Sequence, residues 1–168
     1  ADTGKEIALA AVGGYGRGEL SPGSDLDILI LHNGKISQEK LKAIVNDLLY
    51  PLWDKNSVDH SVRTRSETRD AAASDLRVAT GLLDIRFIAG NTDLVTAVQA
   101  DSLDYWRKDA KRNLPALDKS LKERHERAGE LAYLLEPDLK EARGGLRDIQ
   151  ALRAISLSGA VQVPLEKI

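Results

Sequence analysis

A glycine-rich stretch that runs into an apolar strand with two acids is the feature that most constrains this chain. Residues 13–18 read Gly-Gly-Tyr-Gly-Arg-Gly, and residues 24–31 read Ser-Asp-Leu-Asp-Ile-Leu-Ile-Leu. Side chains at positions i and i+2 of a strand point to the same face. Asp25 and Asp27 are therefore predicted to converge on one face of a rigid strand. Such a carboxylate pair suits divalent metal ions and metal-assisted nucleotidyl transfer.

The residues before the glycines predict a core strand that turns sharply at its end. Residues 7–12 are apolar, and Gly13 and Gly14 follow them directly. Backbone N–H groups at such glycines can cradle phosphate oxygens, and Arg17 can add a fixed positive charge. The alternative is a tight turn that binds nothing. The spacing excludes a P-loop, which needs Gly-Lys followed by Ser or Thr, and it excludes the G-x-G-x-x-G pattern.

The glycine pair followed by Ser24-Asp25-Leu26-Asp27 resembles the signature of DNA polymerase beta-like nucleotidyltransferases. More narrowly, residues 12–20 resemble the PII-protein uridylyltransferase family, and so do residues 59–64, 75–90 and 135–149. The resemblance implies an α+β nucleotidyltransferase fold with a small mixed sheet, followed by a helical extension. It implies a nucleotidyltransferase domain at residues 1–100 and a helical domain at 103–168, and the chain is expected to be a fragment of a larger protein.

The same resemblance implies a Mg²⁺-dependent enzyme that moves UMP or AMP from UTP or ATP to a tyrosine of a PII nitrogen-regulatory protein. It implies that Asp25 and Asp27 are catalytic metal ligands and that Gly13, Gly14 and Ser24 bind nucleotide. No uridylyl-removing activity is expected, because the family's removing and glutamine-sensing domains lie beyond these residues. The alternatives are a truncated or inactive module that binds nucleotide or PII protein, and a related nucleotidyltransferase with a different acceptor.

The superfamily usually places a third catalytic acid on a neighbouring strand, where it completes a metal site and helps to deprotonate the nucleophile. Two residues are candidates. Asp59 lies in an alternating segment that predicts a strand, and Asp84 lies near a predicted helix-to-strand junction. Either residue can instead be a surface acid or an ion-pair partner of Arg63 or Arg86.

Residues 136–148 form a late motif that crowds charge and glycine between two predicted helices. Lys140 and Arg147 are predicted to bind the nucleotide through triphosphate oxygens, with Asp138 or Asp148 orienting them or assisting the metal site. The alternative is a helix start, in which Asp148 lies near the positive end of the helix and the glycines connect elements. The family resemblance favours the functional interpretation.

Composition narrows the class of protein further. The net charge of −2, with 30% charged residues of mixed sign, argues against a nucleic-acid partner. Zero cysteines exclude a disulfide framework, and three scattered histidines argue against a zinc site. The chain has no long apolar run, so no membrane partner is expected and a cytoplasmic location is predicted.

Hydrophobic periodicity predicts strands early in the chain and helices later, the order expected of an α+β unit with a helical extension. Residues 91–102 are predicted to form the passage between the two parts. Strands are predicted near residues 7–12, 26–31, 58–64 and 85–89, and helices near residues 37–49, 71–83, 94–100, 103–134 with an interruption, and 146–157.

Overall fold

The computed structural model describes residues 3–20, 24–53, 57–129 and 138–160. The chain divides into two compact units, Ala1–Ser102 and Leu103–Ile168. The predicted roles of these regions, a nucleotidyltransferase domain at residues 1–100 and a helical domain at 103–168, stay predictions. Among the helices in the described ranges, none has the length and apolar character that a membrane span requires.

The first unit is built on a four-stranded sheet with the strand order β3-β2-β1-β4. The central strand β1 (Ile7–Ala11) runs antiparallel to β2 (Leu26–His32) and to β4 (Arg86–Gly90). The edge strand β3 (Val58–Thr64) runs parallel to β2. The prediction of a small mixed sheet in an α+β fold is therefore confirmed, and each strand lies close to its predicted position.

Five helices surround or follow these strands. The glycine stretch that predicted a turn forms a short helix, and the predicted helix at residues 71–83 is two helices that separate at Asp75. Thr64 and Glu67 form a capping box at the start of the first of these two, where each side chain accepts a hydrogen bond from the other residue's backbone N–H. The helices are α1 (Gly13–Arg17), α2 (Gln38–Trp53), α3 (Arg65–Ser74), α4 (Leu76–Leu82) and α5 (Thr92–Lys108).

Alternation along β2 separates a face that packs on α2 from a face that carries an acid. Ile28 and Ile30 are buried in one cluster with Leu49 of α2. Leu29 belongs to the opposite face and is also fully buried, so the strand is packed on both sides. Burying a side chain of this size stabilises the fold by roughly 1.5–3 kcal/mol. Asp27 shares the face of Leu29 and is therefore presented by a rigid strand.

Residues 91–102, predicted to form the passage between the two parts, lie in α5 from Thr92 onward, and this helix is continuous to Lys108. These residues contain no glycine or proline that would end a helix. The unit boundary at residues 102 and 103 therefore falls inside α5. The predicted interruption of the later helix is confirmed, since α5 ends at Lys108 and the next helix begins at Ala110.

The second unit contains the end of α5, α6 (Ala110–Ala128) and α7 (Leu146–Leu157). Trp106 is completely buried, and its indole Nε1–H donates a 2.8 Å hydrogen bond to the carbonyl oxygen of Ala154. This contact ties the end of α5 to α7. Residues 130–134 of the predicted long helix and residues 136 and 137 of the late motif lie outside the described residues.

Candidate functional site

The glycine turn and the acid-bearing strand lie against each other in the first unit. The backbone N–H of Val12 donates to the carbonyl oxygen of Asp27 at 3.1 Å. Gly13 has a φ of +56°, and a Cβ atom at this position would lie 3.2 Å from Asp27 Oδ2. The left-handed backbone conformation favours glycine at this position, and a Cβ atom would also crowd the Asp27 carboxylate. The Asp27 carboxylate therefore lies beside the backbone of Gly13.

Three acids lie at the same end of two neighbouring strands. Asp25 directly precedes β2, Asp27 is the second residue of β2, and Asp59 on β3 is the register partner of Asp27. Neighbouring strands are about 4.8 Å apart, and register partners point to the same face. Asp25 and Asp59 are exposed, whereas Asp27 is partly buried. Of the two candidates for a third acid, Asp59 is the one beside Asp27.

These acids do not form a closed metal cage. Within residues 3–20, 24–53, 57–129 and 138–160, no three His, Cys, Asp or Glu side chains form a group that could hold a metal ion. Mg²⁺, however, keeps several waters and is usually bound by one or two carboxylates together with substrate phosphates. A carboxylate pair from Asp25 and Asp27, with Gly13 leaving space beside it, fits that chemistry. Both side chains offer the hard oxygen ligands that Mg²⁺ prefers.

Asp84, the other candidate for a third acid, lies in a buried ion pair with Arg17. Arg17 Nη1 donates to Asp84 Oδ2 at 2.6 Å, and the two side chains are 9% and 8% exposed. Arg17 Nε also donates to Glu19 Oε2 at 2.7 Å. Burial opposes the positive charge, but the hydrogen bonds to Glu19 and Asp84 outweigh it and raise the pKa of Arg17. The cation predicted to contact triphosphate is thus bound to two protein acids.

Arg86 holds the opposite side of the glycine turn, a role that the sequence analysis missed. Its Nε donates to the carbonyl oxygen of Gly16 at 3.0 Å, and its Nη2 donates to that of Tyr15 at 2.9 Å. The guanidinium also lies 5.3 Å from the centre of the Tyr15 ring. These contacts span 70 and 71 residues of sequence, so no local pattern signals them. Ser24, predicted to bind nucleotide, is partly buried just before Asp25.

The described part of the late motif is a hydrogen-bonded loop, residues 138–145, followed by the first turn of α7, which contains Asp148. The backbone N–H of Leu146 donates to Leu139 at 2.8 Å, and that of Arg147 donates to Lys140 at 3.2 Å. The side chains of Lys140 and Arg147 are both exposed, and Arg147 Nε donates to Glu141 Oε1 at 2.5 Å. Their predicted contact with triphosphate stays a prediction.

Asp148 fixes this loop to α6. Its Oδ1 is bonded to Arg124 Nη2 and lies 2.8 Å from His125 Nε2, while its Oδ2 accepts from the backbone N–H of Gly144 at 2.7 Å. Burial opposes ionisation, but the hydrogen bonds from Gly144, His125 and Arg124 outweigh it and hold the pKa of Asp148 below its usual range. The carboxylate is therefore a structural anchor within the loop.

Comparisons with known proteins cover both units. The family model described as "Nucleotidyltransferase domain" matches residues 2–76, and the model described as "GlnD PII-uridylyltransferase" matches residues 112–158. The first match contains the glycine turn and the acids Asp25, Asp27 and Asp59, whereas Asp84 lies outside it. One solved structure, described as "Crystal structure of the toxin-antitoxin with AMP-PNP", is 17% identical and covers 69% of this chain and 87% of that chain. The TM-score of this match is 0.44.

Several curated relatives carry the description "Bifunctional uridylyltransferase/uridylyl-removing enzyme". The Streptomyces coelicolor protein is 52% identical over 95% of this chain. The Mycobacterium tuberculosis protein is 45% identical over 90% of the chain, and the Corynebacterium glutamicum protein is 37% identical over 94%. The chain spans 19% of the length of the first two relatives and 22% of the third. The predicted family is thereby confirmed: the chain belongs to the bifunctional uridylyltransferase/uridylyl-removing enzyme family and carries a nucleotidyltransferase domain.

Proposed function

We propose that this chain transfers a nucleoside monophosphate, UMP or AMP, from UTP or ATP to a tyrosine hydroxyl of a PII signalling protein, with Mg²⁺ as cofactor. The observation that carries the proposal is the Asp27 carboxylate against the bare backbone of Gly13, with Asp59 in register beside it. The description of the relatives, of which this chain spans only a part, supports a uridylyl donor, and the description of the second family model supports a PII acceptor. A nucleoside triphosphate donor places the proposed reaction in the cytoplasm.

In this proposal Asp25 and Asp27 hold Mg²⁺, which when bound neutralises triphosphate charge and stabilises the pyrophosphate leaving group. Gly13 and Gly14 let the triphosphate approach the backbone closely, because neither residue has a side chain. Asp59 accepts the proton of the tyrosine hydroxyl as that oxygen bonds to the α-phosphorus and pyrophosphate leaves. Ser24 is proposed to contact the nucleotide as well.

The late motif carries two exposed cations that we propose bind nucleotide. Lys140 and Arg147 are exposed, and the loop that carries them is fixed by its own backbone hydrogen bonds and by Asp148. Arg147 keeps a planar guanidinium whose remaining N–H groups match phosphate oxygens in geometry. We propose that both side chains bind triphosphate oxygens once nucleotide is present.

The second candidate function is a module that binds nucleotide or PII protein without chemistry. One observation favours it: the described residues contain no group of three metal-ligating side chains. A related nucleotidyltransferase with another acceptor shares the same carboxylate chemistry, so the acids do not distinguish it.

The test replaces Asp25 or Asp27 with Asn and measures transfer of α-phosphate label from UTP and from ATP to a PII protein. Each substitution is expected to lower kcat by about 100-fold or more, because it removes a ligand for the charge-neutralising metal. Asp47→Asn, which changes an exposed acid on α2, is the matched control and is expected to keep full activity. Full transfer by both Asp25→Asn and Asp27→Asn would exclude the mechanism, and nucleotide binding without transfer by the unaltered chain would favour the binding module.

A second measurement addresses the metal directly. Mn²⁺ is a spectroscopic substitute for Mg²⁺, and its binding can be followed by electron paramagnetic resonance without any turnover. The unaltered chain with a nonhydrolysable triphosphate is expected to bind Mn²⁺, and Asp27→Asn is expected to weaken that binding. Equal Mn²⁺ affinity in the two proteins would show that Asp27 is not a metal ligand.

A further inference from the structure

Residues 81–86, which run from the end of α4 to the start of β4, pack against the glycine turn. A Cβ atom on Gly81 would lie 4.0 Å from the backbone nitrogen of Gly13, so the two backbones approach closely at the start of the turn. A Cβ atom on Gly16 would lie only 2.0 Å from the carbonyl oxygen of Asp84. The backbone of Gly16 is thus packed on the backbone of Asp84, with no room for a side chain between them.

Two side-chain contacts add to this backbone packing. The Arg17–Asp84 ion pair is buried on both sides and joins the end of α1 to the α4–β4 connection. Arg86 donates to the carbonyl oxygens of Tyr15 and Gly16, which lie in the last turn of α1. The Tyr15 carbonyl also accepts from the backbone N–H of Gly18 at 3.2 Å, and the two bonds from Arg86 fix this end of the helix further. Contacts with residues 81–86 therefore fix the glycine turn at Gly13, at Gly16 and at Arg17.

The sheet order separates Asp84 from the acid-bearing strand. Asp84 precedes β4, and β1 lies between β4 and β2. Asp59 lies on β3, which is paired directly with β2, and it is in register with Asp27. Asp84 Oδ2 is bonded to a buried arginine at 2.6 Å, whereas Asp59 is exposed. The position of a third acid beside the metal ligands therefore belongs to Asp59.

We propose that Asp84, together with Arg17 and Arg86, is a positioning residue that fixes the glycine turn against Asp27 and thereby sets the affinity for the nucleoside triphosphate. This inference rests on the proposed function and assigns a role to residues that touch neither metal nor nucleotide. Arg17 acts through Asp84 rather than on the triphosphate. Loss of the Arg17–Asp84 ion pair, or of the bonds from Arg86 to the carbonyls of α1, lets the Gly13–Gly14 backbone move relative to Asp27.

The experiment measures the affinity of the chain for UTP and ATP with Mg²⁺, and the kcat and KM of transfer to a PII protein. Asp84→Asn is expected to raise Kd and KM for the triphosphate by about 10-fold to 100-fold, the range for losing a charge-assisted contact, with kcat within about threefold. The double variant Arg17→Gln with Asp84→Asn is expected to bind no more weakly than either single variant, because both remove the same contact. If Asp84 were instead a metal ligand, Asp84→Asn would lower kcat, and Arg17→Gln would keep the nucleotide affinity of the unaltered chain.

Arg86 keeps the test decisive if Asp84→Asn does not fold. Arg86 is exposed, so Arg86→Gln leaves no buried charge, and it is expected to raise Kd and KM in the same way. Arg86→Lys keeps the charge but not the planar fork that reaches two carbonyls, and an intermediate effect is expected. Arg65→Gln is the matched control, since Arg65 pairs with Asp101 at 2.7 Å between α3 and α5 and is expected to leave Kd unchanged.

The two proposals fail in different ways. If Asp25→Asn and Asp27→Asn both retain transfer, the proposed function fails. If these variants lose transfer while Asp84→Asn and Arg86→Gln keep the affinity of the unaltered chain, only the positioning role is overturned. A fall in kcat at unchanged KM in Asp84→Asn would likewise overturn the positioning role, because it would place Asp84 at the reacting atoms. A rise in KM and Kd with kcat maintained supports it.

Discussion

Two buried arginines, one in each unit, show how similar sequence motifs can be held in different ways. Arg17 in the glycine turn pairs with Asp84, and Arg124 at the end of α6 pairs with Asp148 in the late motif. The arginines are about equally buried, at 9% and 8% exposure. Their partners differ, because Asp84 is 8% exposed and Asp148 is 25% exposed. Each pair sits beside glycines, in a motif that the sequence connects with nucleotide binding.

The difference lies in what else each aspartate holds. Asp84 is bonded to an arginine 67 residues away, and its backbone packs on Gly16. Asp148 is shared among Arg124, His125 and the backbone N–H of Gly144, all within 24 residues. The first pair therefore links distant parts of the chain, whereas the second organises a local loop. A long-range link of this kind affects the fold of the whole unit, and a local anchor affects its own loop.

The largest expected effect comes from breaking the first pair. Asp84→Ala leaves Arg17 buried without that carboxylate, and loss of one partner of a buried ion pair typically costs about 3–5 kcal/mol of unfolding free energy. Urea unfolding of the unaltered chain and the variant measures this difference. The pair Arg65–Asp101 is the control, since Arg65 is exposed and its removal is expected to change stability little. Equal effects of the two substitutions would contradict the burial of Arg17 and Asp84 and remove the contrast between the two regions.

A smaller effect is expected from filling the space behind the glycine turn. A Cβ atom on Gly16 would overlap the carbonyl oxygen of Asp84, so Gly16→Ala forces the backbones apart at a cost of about 1–3 kcal/mol or more. A Cβ atom on Gly14 meets its nearest neighbours at 3.7 and 3.8 Å, which is ordinary contact. Gly14→Ala is therefore expected to keep the stability of the unaltered chain.

The two glycine variants separate structural from functional roles. If Gly14 contacts the triphosphate as proposed, Gly14→Ala weakens nucleotide binding in a protein that unfolds normally. Gly16→Ala is expected to lower both nucleotide affinity and stability, because it displaces the turn itself. Titration with UTP and ATP and thermal unfolding of the same samples provide the two readouts. Normal stability of Gly16→Ala would show that the turn is not packed on Asp84.

Most of the fold could be predicted from sequence because its signals are local. The strands β1 and β2 are visible as continuous apolar runs, and the alternation of residues in β3 predicts its strand. The start of α3 was missed although Thr64 and Glu67 stand at capping-box spacing, a signal that the sequence does contain. The helix α1 could not be predicted, since glycine disfavours helix and tertiary contacts hold this one.

The candidate site was predictable only in part, for a related reason. Asp25 and Asp27 share a short segment, so strand geometry alone predicts that they lie together. The register of Asp59 with Asp27, by contrast, depends on a parallel pairing of strands separated by a helix. The contacts of Arg17 and Arg86 depend on packing between residues about 70 positions apart. Such pairings are set by the whole fold, and nothing in a single sequence indicates them.

The smallest effect in this comparison is a pH dependence confined to the late motif. The pKa of Asp148 is held below its ordinary value of 3.8 in the folded chain, so its stabilising contacts are fully present above about pH 4. They are lost as the pH falls below that value through the folded pKa. Hydrogen bonds from the backbone N–H groups of Glu141 and Lys140 also lower the pKa of Asp138. Protonation of Asp138 and Asp148 in acid is therefore expected to weaken the late motif.

Trp106 reports on the second unit, because its indole is buried and bonded to α7. With Trp53→Phe as the background, Trp106 fluorescence follows unfolding of this unit at pH values from 6 to about 3. Asp148→Asn is expected to be less stable than the background at pH 6 and to lose less stability on acidification, because the residue that titrates is gone. Asp104→Asn, which removes an exposed carboxylate paired with Lys108, is expected to follow the background at every pH. Parallel acid profiles for the background and Asp148→Asn would mean that Asp148 does not anchor the loop.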